Sequence, residues 1–315
     1  MGLRHSHPDH GGQRRPTLRV IEREIPYRGR GTEIRIYPLA DLHLGNRAVD
    51  EARLDATLDE IDADAGGYWL SLGDCCDFIN VRDPRFKPDT LAPWLYQAMY
   101  DHTDIGLGAL QRDELARRIR KRKSLGRKLL AAIEGNHEED VQRHCEVDSY
   151  VGLIERIRDQ ERQLCLGPSG YLVLRFRRQA GKDEAPSSGN TFTLRLFLAH
   201  GWGAGQGGTP LKKLDDMMRQ FDADIYLLGH YHVIDTHAAA RPITLDSELR
   251  LIQPPDRLGA VCGTFLRSRI ADTDIYSEVR GMRPGPASTD VVIRVQPDKG
   301  TYSLEVRNSN KAVLL

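Results

Sequence analysis

Apolar positions along the chain switch repeatedly between a two-residue and a three-to-four-residue period. Leu18-Val20-Glu22 and Ile34-Ile36 alternate as strands do, and the second run leads straight into Pro38-Leu39-Ala40-Asp41. From Asp50 to Asp64, residues Leu54, Leu58 and Ile61 fall at i, i+4 and i+7 behind Asp50 as N-cap, and Gly66-Gly67 ends the helix. A strand at Tyr68 to Leu72 follows, which completes a β, α, β unit and predicts an α/β fold. Past Pro84, Pro88 and Pro93 the pattern turns helical from Leu110 to Leu130, then strand-like at Ala131 to Glu134 and helical again around Ser149 to Arg162. Strands at Tyr171 to Arg177 and Thr191 to Ala199 flank the polar loop 181–190, and Thr209-Pro210 opens a helix carrying Leu211, Leu214, Met218 and Phe221. A strand at Asp224 to Leu228 precedes a region of short strands and turns from Pro242 onward. That region ends in a hairpin of Val291 to Val295 and Tyr302 to Val306 around Pro297-Asp298-Lys299-Gly300.

Composition narrows the classes without naming one. In 315 residues, 45 Lys and Arg balance 45 Asp and Glu, which excludes a wholly basic nucleic-acid coat, an acidic disordered tail protein and a polybasic membrane-surface protein. With 40% hydrophobic residues, the chain can bury a sizeable core. No apolar run approaches the roughly 20 residues that cross a bilayer, and the polar start, Met1 to Gly12, has no signal-peptide core, so a cytoplasmic location and no membrane partner are expected. Five thinly spread cysteines, with Cys75 and Cys76 adjacent, do not form a disulfide framework and read as free thiols.

The chemistry gathers at the ends of predicted strands. Five apolar runs are each followed directly by residues able to hold a metal: Asp41-Leu42-His43, Gly73-Asp74, Gly135-Asn136-His137, Ala199-His200 and Gly229-His230-Tyr231-His232. A single histidine or Gly-Asp pair after a strand is ordinarily a turn residue. Five such fragments together are another matter, because in α/β sheets the loops beyond the carboxyl ends of strands converge and bind ligands. Carboxylates and imidazoles without thiolate suit divalent Mn, Fe, Ni and Zn rather than a purely structural zinc site.

In order, these blocks read D-x-H, G-D-x-x-D, G-N-H-E, H-G and G-H-x-H, and the sequence that carries them resembles the calcineurin-like metallophosphoesterase superfamily over about 190 residues. The resemblance implies a metallophosphoesterase-type four-layer sandwich, two mixed β-sheets flanked by helices. Residues 1–16, with almost no apolar content, read as a loose tail, which leaves a single domain at 17–315 with a helical, basic insertion at about 82–128. By the same resemblance Asp41, His43 and His232 hold one divalent cation, Asn136, His200 and His230 hold a second, and Asp74 bridges them. Mn is the expected ion, with Fe, Ni or Zn also compatible. Two cations about 3.5–4 Å apart lower the pKa of a shared hydroxide and clamp phosphoryl oxygens for in-line attack. His137 is then the proton donor or transition-state stabiliser, and Asp77 either orients it or caps a helix. Asn136 also faces the substrate, and Arg47, just after His43, is a candidate phosphate contact.

Departures within the family direct the substrate expectation. Asp77 is followed by Phe78-Ile79, unlike protein phosphatases, and His137 stands where lipid A-pathway diphosphatases carry Arg. The intact blocks look more like phosphodiesterase and nuclease branches, with nucleic acid or nucleotide diesters as substrate; a phosphomonoesterase on the same metals is the alternative. From Arg112 to Lys128, nine Lys and Arg face two acids, a local net of +7. This run is either a solvated helix face or a site that draws in a nucleic acid. The aromatics Phe86, Trp94, Tyr96 and Tyr100 in the same insertion either stack on bases or form a small apolar cap. Arg267, Arg269 and Tyr276 follow the last block without a spacing that demands a role. One motif competes: residues 203–208 read G-x-G-x-x-G between a strand and a helix, the context of a dinucleotide fingerprint. The acid expected to end the next strand is replaced by Gly229-His230, so Trp202 to Gly208 reads as a loop bordering the metal site.

Overall fold

The computed structural model describes residues 18–83, 86–101, 105–145, 148–159, 161–179, 191–203, 209–267, 289–308 and 311–314. The expected tail 1–16, the loop 181–190, most of the glycine run at 203–208, Arg269 and Tyr276 lie outside these residues. The chain begins with strands β1 (Arg19–Tyr27) and β2 (Ile34–Leu39), helix α1 (Glu51–Ala63), and β3 (Gly67–Ser71). Helices α2 (Pro93–Asp101) and α3 (Leu107–Arg120) lead to β4 (Leu129–Ala132), α4 (Asn136–Cys145) and α5 (Ser149–Ile157). Then come β5 (Ser169–Arg178), β6 (Thr191–Ala199), α6 (Thr209–Gln220) and β7 (Ile225–Leu228). The remaining strands are β8 (Asp235–Ala239), β9 (Thr244–Leu245), β10 (Leu251–Ile252), β11 (Arg257–Val261), β12 (Thr289–Gln296), β13 (Thr301–Asn308) and β14 (Lys311–Leu314).

Two six-stranded mixed sheets result, ordered β1-β5-β6-β7-β11-β8 and β14-β13-β12-β2-β3-β4. Within them β2, β3 and β4 are mutually parallel, as are β6, β7 and β11, so their carboxyl ends point the same way in each sheet. The sheets face each other across a core that includes Ile36, Leu70, Phe176, Leu196 and Leu227. On the outer face of one, α1, α3 and α5 press Leu54, Leu58, Leu115, Ile119 and Ile154 against Trp69. On the outer face of the other, Leu214 and Met218 of α6 pack on Phe197 and Tyr226. The expected four layers, two mixed sheets with helices on both sides, are therefore present. Covered on both faces, β2 buries Ile36, Tyr37 and Leu39 alike, so beyond Arg35 the alternation gives way to a continuous buried run.

Local signals set several boundaries. Asp50 caps α1 by accepting from Arg53 N at 3.2 Å, and Gly300 adopts φ 62° to close the β12–β13 hairpin. Elsewhere the expectation shifts. The helix expected over 110–130 runs from Leu107 to Arg120, and a 3-10 turn at Leu125–Lys128 separates it from β4, which starts at Leu129 rather than Ala131. Helix α4, absent from the sequence reading, starts directly on Asn136. Its polar residues hide any apolar stripe.

The basic run starts at Arg112, next to Gln111, whose Oε1 accepts from Phe78 N in the loop beyond β3 at 2.8 Å. It descends along the acidic face of α1: Arg118 contacts Glu51, Asp55 and Glu114, and Arg122 contacts Asp55 and Asp59. Lys128 Nζ then donates to the carbonyls of Ile61, Asp62 and Asp64 at the helix's far end, beside the amino end of β4. Two of the nine basic residues, Arg118 and Arg122, are thus paired with acids of α1. Phe86 and Trp94 pack with Leu91, Leu95 and Leu107 as an apolar cap, whereas Tyr96 and Tyr100 form an exposed edge-to-face pair. Among the described residues no helix is long and apolar enough to cross a membrane. Cys75, Cys76, Cys165 and Cys262 are free and buried.

Candidate metal centre

The loops beyond β2, β3, β4, β6 and β7 meet at one edge of the sandwich, and backbone hydrogen bonds lock them together. Pairing of β2 with β3 continues past both strands, with Asp41 N donating to Gly73 O at 3.1 Å and His43 N to Asp74 O at 2.9 Å. From the facing sheet, His230 N donates to Asp41 Oδ2 at 2.9 Å, and the imidazole of His200 reaches Leu72 O with Nδ1 at 2.7 Å. The segment after β11 closes the back, where Phe265 N and Thr264 Oγ1 both donate to Asp41 O.

Three groups of side chains place potential ligand atoms within 4.8 Å of one another: Asp41, His43 and His232; His43, Asp74 and His137; Asp74, His200 and His230. Asp74 belongs to two of them. Its Oδ1 accepts from His137 N at 2.9 Å, while Oδ2 lies 3.3 Å from His200 Nε2 and 3.8 Å from His43 Nε2. Asn136 Oδ1 sits 3.1 Å from His200 Nε2 and 2.9 Å from His230 Nδ1. All seven residues expected as ligands are thus brought together.

The arrangement is poorly satisfied by protein atoms alone, and a cation repairs it. Asp41 Oδ1 is fully buried without a hydrogen bond of good geometry, 3.2 Å from His232 Nε2. His43 Nε2 and His232 Nε2 face each other at 3.1 Å, so two lone pairs oppose unless a proton or a metal lies between them. Because Nδ1 of His200 donates to Leu72 O, its Nε2 is turned toward two oxygens, those of Asp74 and Asn136. Burial opposes charge on His200, but Asp74 and then Asp41 outweigh it and push the imidazole up to about 10. That proton stands where a cation fits. Burial works to raise Asp74 as well, yet the surrounding histidines, His137 first, hold it well below the usual carboxylate range.

Backbone strain accompanies the site. Asp41 (φ 51°), His43 (φ 47°), Asp74 (φ 49°), His230 (φ 72°) and His232 (φ 55°) all occupy the left-handed region that L-residues avoid. Each costs on the order of 1–3 kcal/mol and persists only where its surroundings over-determine it, which marks functional geometry. Close approach adds a further demand: a Cβ on Gly135 would stand 2.1 Å from Asp74 Oδ1, and one on Gly73 2.6 Å from His200 Nδ1.

The remaining expected residues land as follows. The Nδ1 of His137 is held by the backbone carbonyl of Asp77, leaving Nε2 4.0 Å from Asp74 Oδ2. The Asp77 carboxylate does not reach His137 as expected; its Oδ1 lies 3.4 Å from His43 Nδ1. Nor does Asp77 cap a helix, since the described residues that follow it, 78–83, hold none. Arg47 is exposed beside the site, its backbone N bonded to Thr90 O at 2.7 Å. Arg267 instead pairs with Asp50 at 3.1 Å. Sequence reasoning assigned nothing to Glu138, which is 1% exposed and accepts from Asp74 N, Cys75 N and Gly135 N at 2.7–3.0 Å. Burial first, and then the charge of Asp74, push its carboxyl up to about 7. The available signal was an acid in the first turn of α4, where it can accept backbone N–H groups.

No family model matches the sequence, and no curated protein matches it. Among solved structures, the chain shows likeness to a metallophosphoesterase from Sphaerobacter thermophilus, with 14% sequence identity and a TM-score of 0.35, over 87% of this chain and 89% of that one.

Proposed function

We propose that the chain is a metal-dependent phosphoesterase of the calcineurin-like kind that hydrolyses phosphodiesters. The observation that carries this reading is the position of Asp74, whose one carboxylate oxygen lies between His200 on one side and His43 on the other. Asp41, His43 and His232 would hold one divalent cation and Asn136, His200 and His230 the other, with Asp74 shared. Two such cations supply Lewis-acid polarisation of the phosphoryl oxygens and of the attacking water. Nitrogen and oxygen donors without thiolate suit Mn first, and Fe, Ni or Zn as well.

The protein's own groups do the rest. With Nδ1 fixed by the Asp77 carbonyl, His137 presents Nε2 to the site and donates a proton to the departing ester oxygen. Asp77 orients His43 from behind, as carboxylates behind metal-bound histidines do. Arg47 offers a cation to a non-bridging phosphate oxygen. The diester reading rests on the joint presence of His137 and His232, the pattern of the diesterase branches that the blocks resemble. A metal-reconstituted panel of bis-p-nitrophenyl phosphate, p-nitrophenyl phosphate, cyclic nucleotides and nucleic acids tests it. Turnover of the diesters is expected; turnover of monoesters alone would replace the diesterase by a phosphomonoesterase.

A further inference from the structure

The chain contains three tryptophans, and two are packed in the ordinary way. Trp69 is 2% exposed and donates Nε1 to Leu125 O at 2.9 Å, and Trp94 is part-buried with Nε1 on Glu51. Trp202 differs: it is 61% exposed, although the indole is the side chain with most apolar area to bury. Among the described residues its Nε1 makes no hydrogen bond.

Exposure here does not mean looseness. Trp202 stands two residues after His200, on a backbone segment laid against His230. Gly201 turns at φ 104°, with its Cβ position 3.2 Å from His230 Cβ. The hydroxyl of Tyr231 donates to Trp202 O at 2.9 Å, and His230 Nε2 lies 2.9 Å from Gly203 O. From α6, Lys213 Nζ sits over one side of the ring, 4.5 Å from the indole centroid. An exposed aromatic ring is therefore carried on backbone that is hydrogen-bonded, through His230 and Tyr231, to the residues proposed to hold the second cation.

We infer that Trp202 is a stacking platform for the heteroaromatic base of a nucleotide diester. The inference rests on the phosphoesterase reading above and names its substrate class. Residues 201–203 lie against His230, so a nucleoside attached to a phosphate held by the second histidine group would pass beside them. Every nucleobase offers a π-face, so a single indole recognises a base without selecting among the four. Lys213 on one side leaves the solvent-facing side for that base.

The test compares two diesters with the same leaving group, thymidine 5′-(p-nitrophenyl phosphate) and methyl p-nitrophenyl phosphate, on metal-reconstituted enzyme. Trp202→Ala should lower kcat/KM about tenfold for the thymidine ester and leave the methyl ester within about twofold, while Trp202→Phe retains most of the preference. Equal losses on both esters, or no loss on either, would overturn the inference while leaving the phosphoesterase intact. If the wild type cleaves neither ester, the phosphoesterase reading has failed on its own. Quenching of indole emission by thymidine monophosphate then decides: quenching lost in Trp202→Phe supports the base site, and quenching unchanged by that substitution overturns it.

Discussion

Glu138 Oε2 accepts the backbone N–H of Asp74 at 2.9 Å, so one buried acid holds the main chain of another in a left-handed turn. The same carboxylate takes the N–H groups of Cys75 and Gly135 and thereby ties the loop beyond β3 to the loop beyond β4. Glu138→Gln keeps the shape but turns an amide donor toward backbone donors. It should destabilise the fold by about 1–3 kcal/mol and weaken metal binding about 10–100-fold. Urea denaturation and a metal titration check both effects. Unchanged affinity would remove Glu138 from the centre's support.

In the metal-free protein two raised groups act in the same direction. Glu138 lies at about 7 against an ordinary 4.5, and His200 at about 10 against 6.5. For each, the folded state keeps its proton to higher pH than the unfolded chain. The stabilisation is therefore fully present below the unfolded value and lost as pH rises through the folded value. Stability in EDTA should fall between pH 4.5 and 7 through Glu138, and between 6.5 and 10 through His200. A denaturation midpoint that rises over that upper window would contradict the assignment. Since a cation displaces the His200 proton, metal binding at about pH 8 should also release protons, measurable by calorimetry in buffers of different ionisation enthalpy.

Asp77 and His137 should separate by readout. Asp77→Asn loses the carboxylate behind His43 and should weaken metal binding about 10–100-fold, with little change in leaving-group dependence once metal is saturating. His137→Ala should retain metal and lose about 10²–10⁴-fold in rate on esters with poor leaving groups, less on p-nitrophenyl esters. Identical behaviour of the two variants would return Asp77 to the role of orienting His137.

The basic run should behave as structure. Arg118 is 11% exposed at its side chain and meets Glu51, Asp55 and Glu114, so Arg118→Ala should cost about 1–3 kcal/mol of stability. Replacing Arg120, Lys121, Lys123 and Arg127 together by Ala should leave kcat/KM on small diesters, and its salt dependence, unchanged. A marked flattening of that salt dependence would restore the run as a polyanion contact.

The strand-end blocks were legible because each combines an apolar run with a short, chemically distinctive terminus; the α/β class followed from the strand and helix periods, and the sandwich from the family resemblance that the blocks carry. What escaped the sequence depends on geometry in three dimensions. Nothing in the residue string shows that Asp41, His43 and Asp74 take positive φ, or that Gly135 is pressed against Asp74 Oδ1. Asp77 was matched to His137 by sequence block, yet its carbonyl and carboxylate serve two different histidines. The pairing of Arg118 and Arg122 was hidden for the same reason, because Glu51, Asp55 and Asp59 lie some sixty residues earlier in the chain, on α1.

The central claim is a centre of two cations sharing Asp74, and the most direct measurement is metal content per chain alongside bis-p-nitrophenyl phosphate hydrolysis, taken after chelation and during stepwise Mn reconstitution. The account predicts two equivalents bound, activity abolished by chelation and restored as the sites fill, and both reduced more than about 100-fold in affinity or rate by Asp74→Asn. Hydrolysis that survives complete chelation, or an Asp74→Asn variant that binds two equivalents as tightly as the wild type, would contradict it.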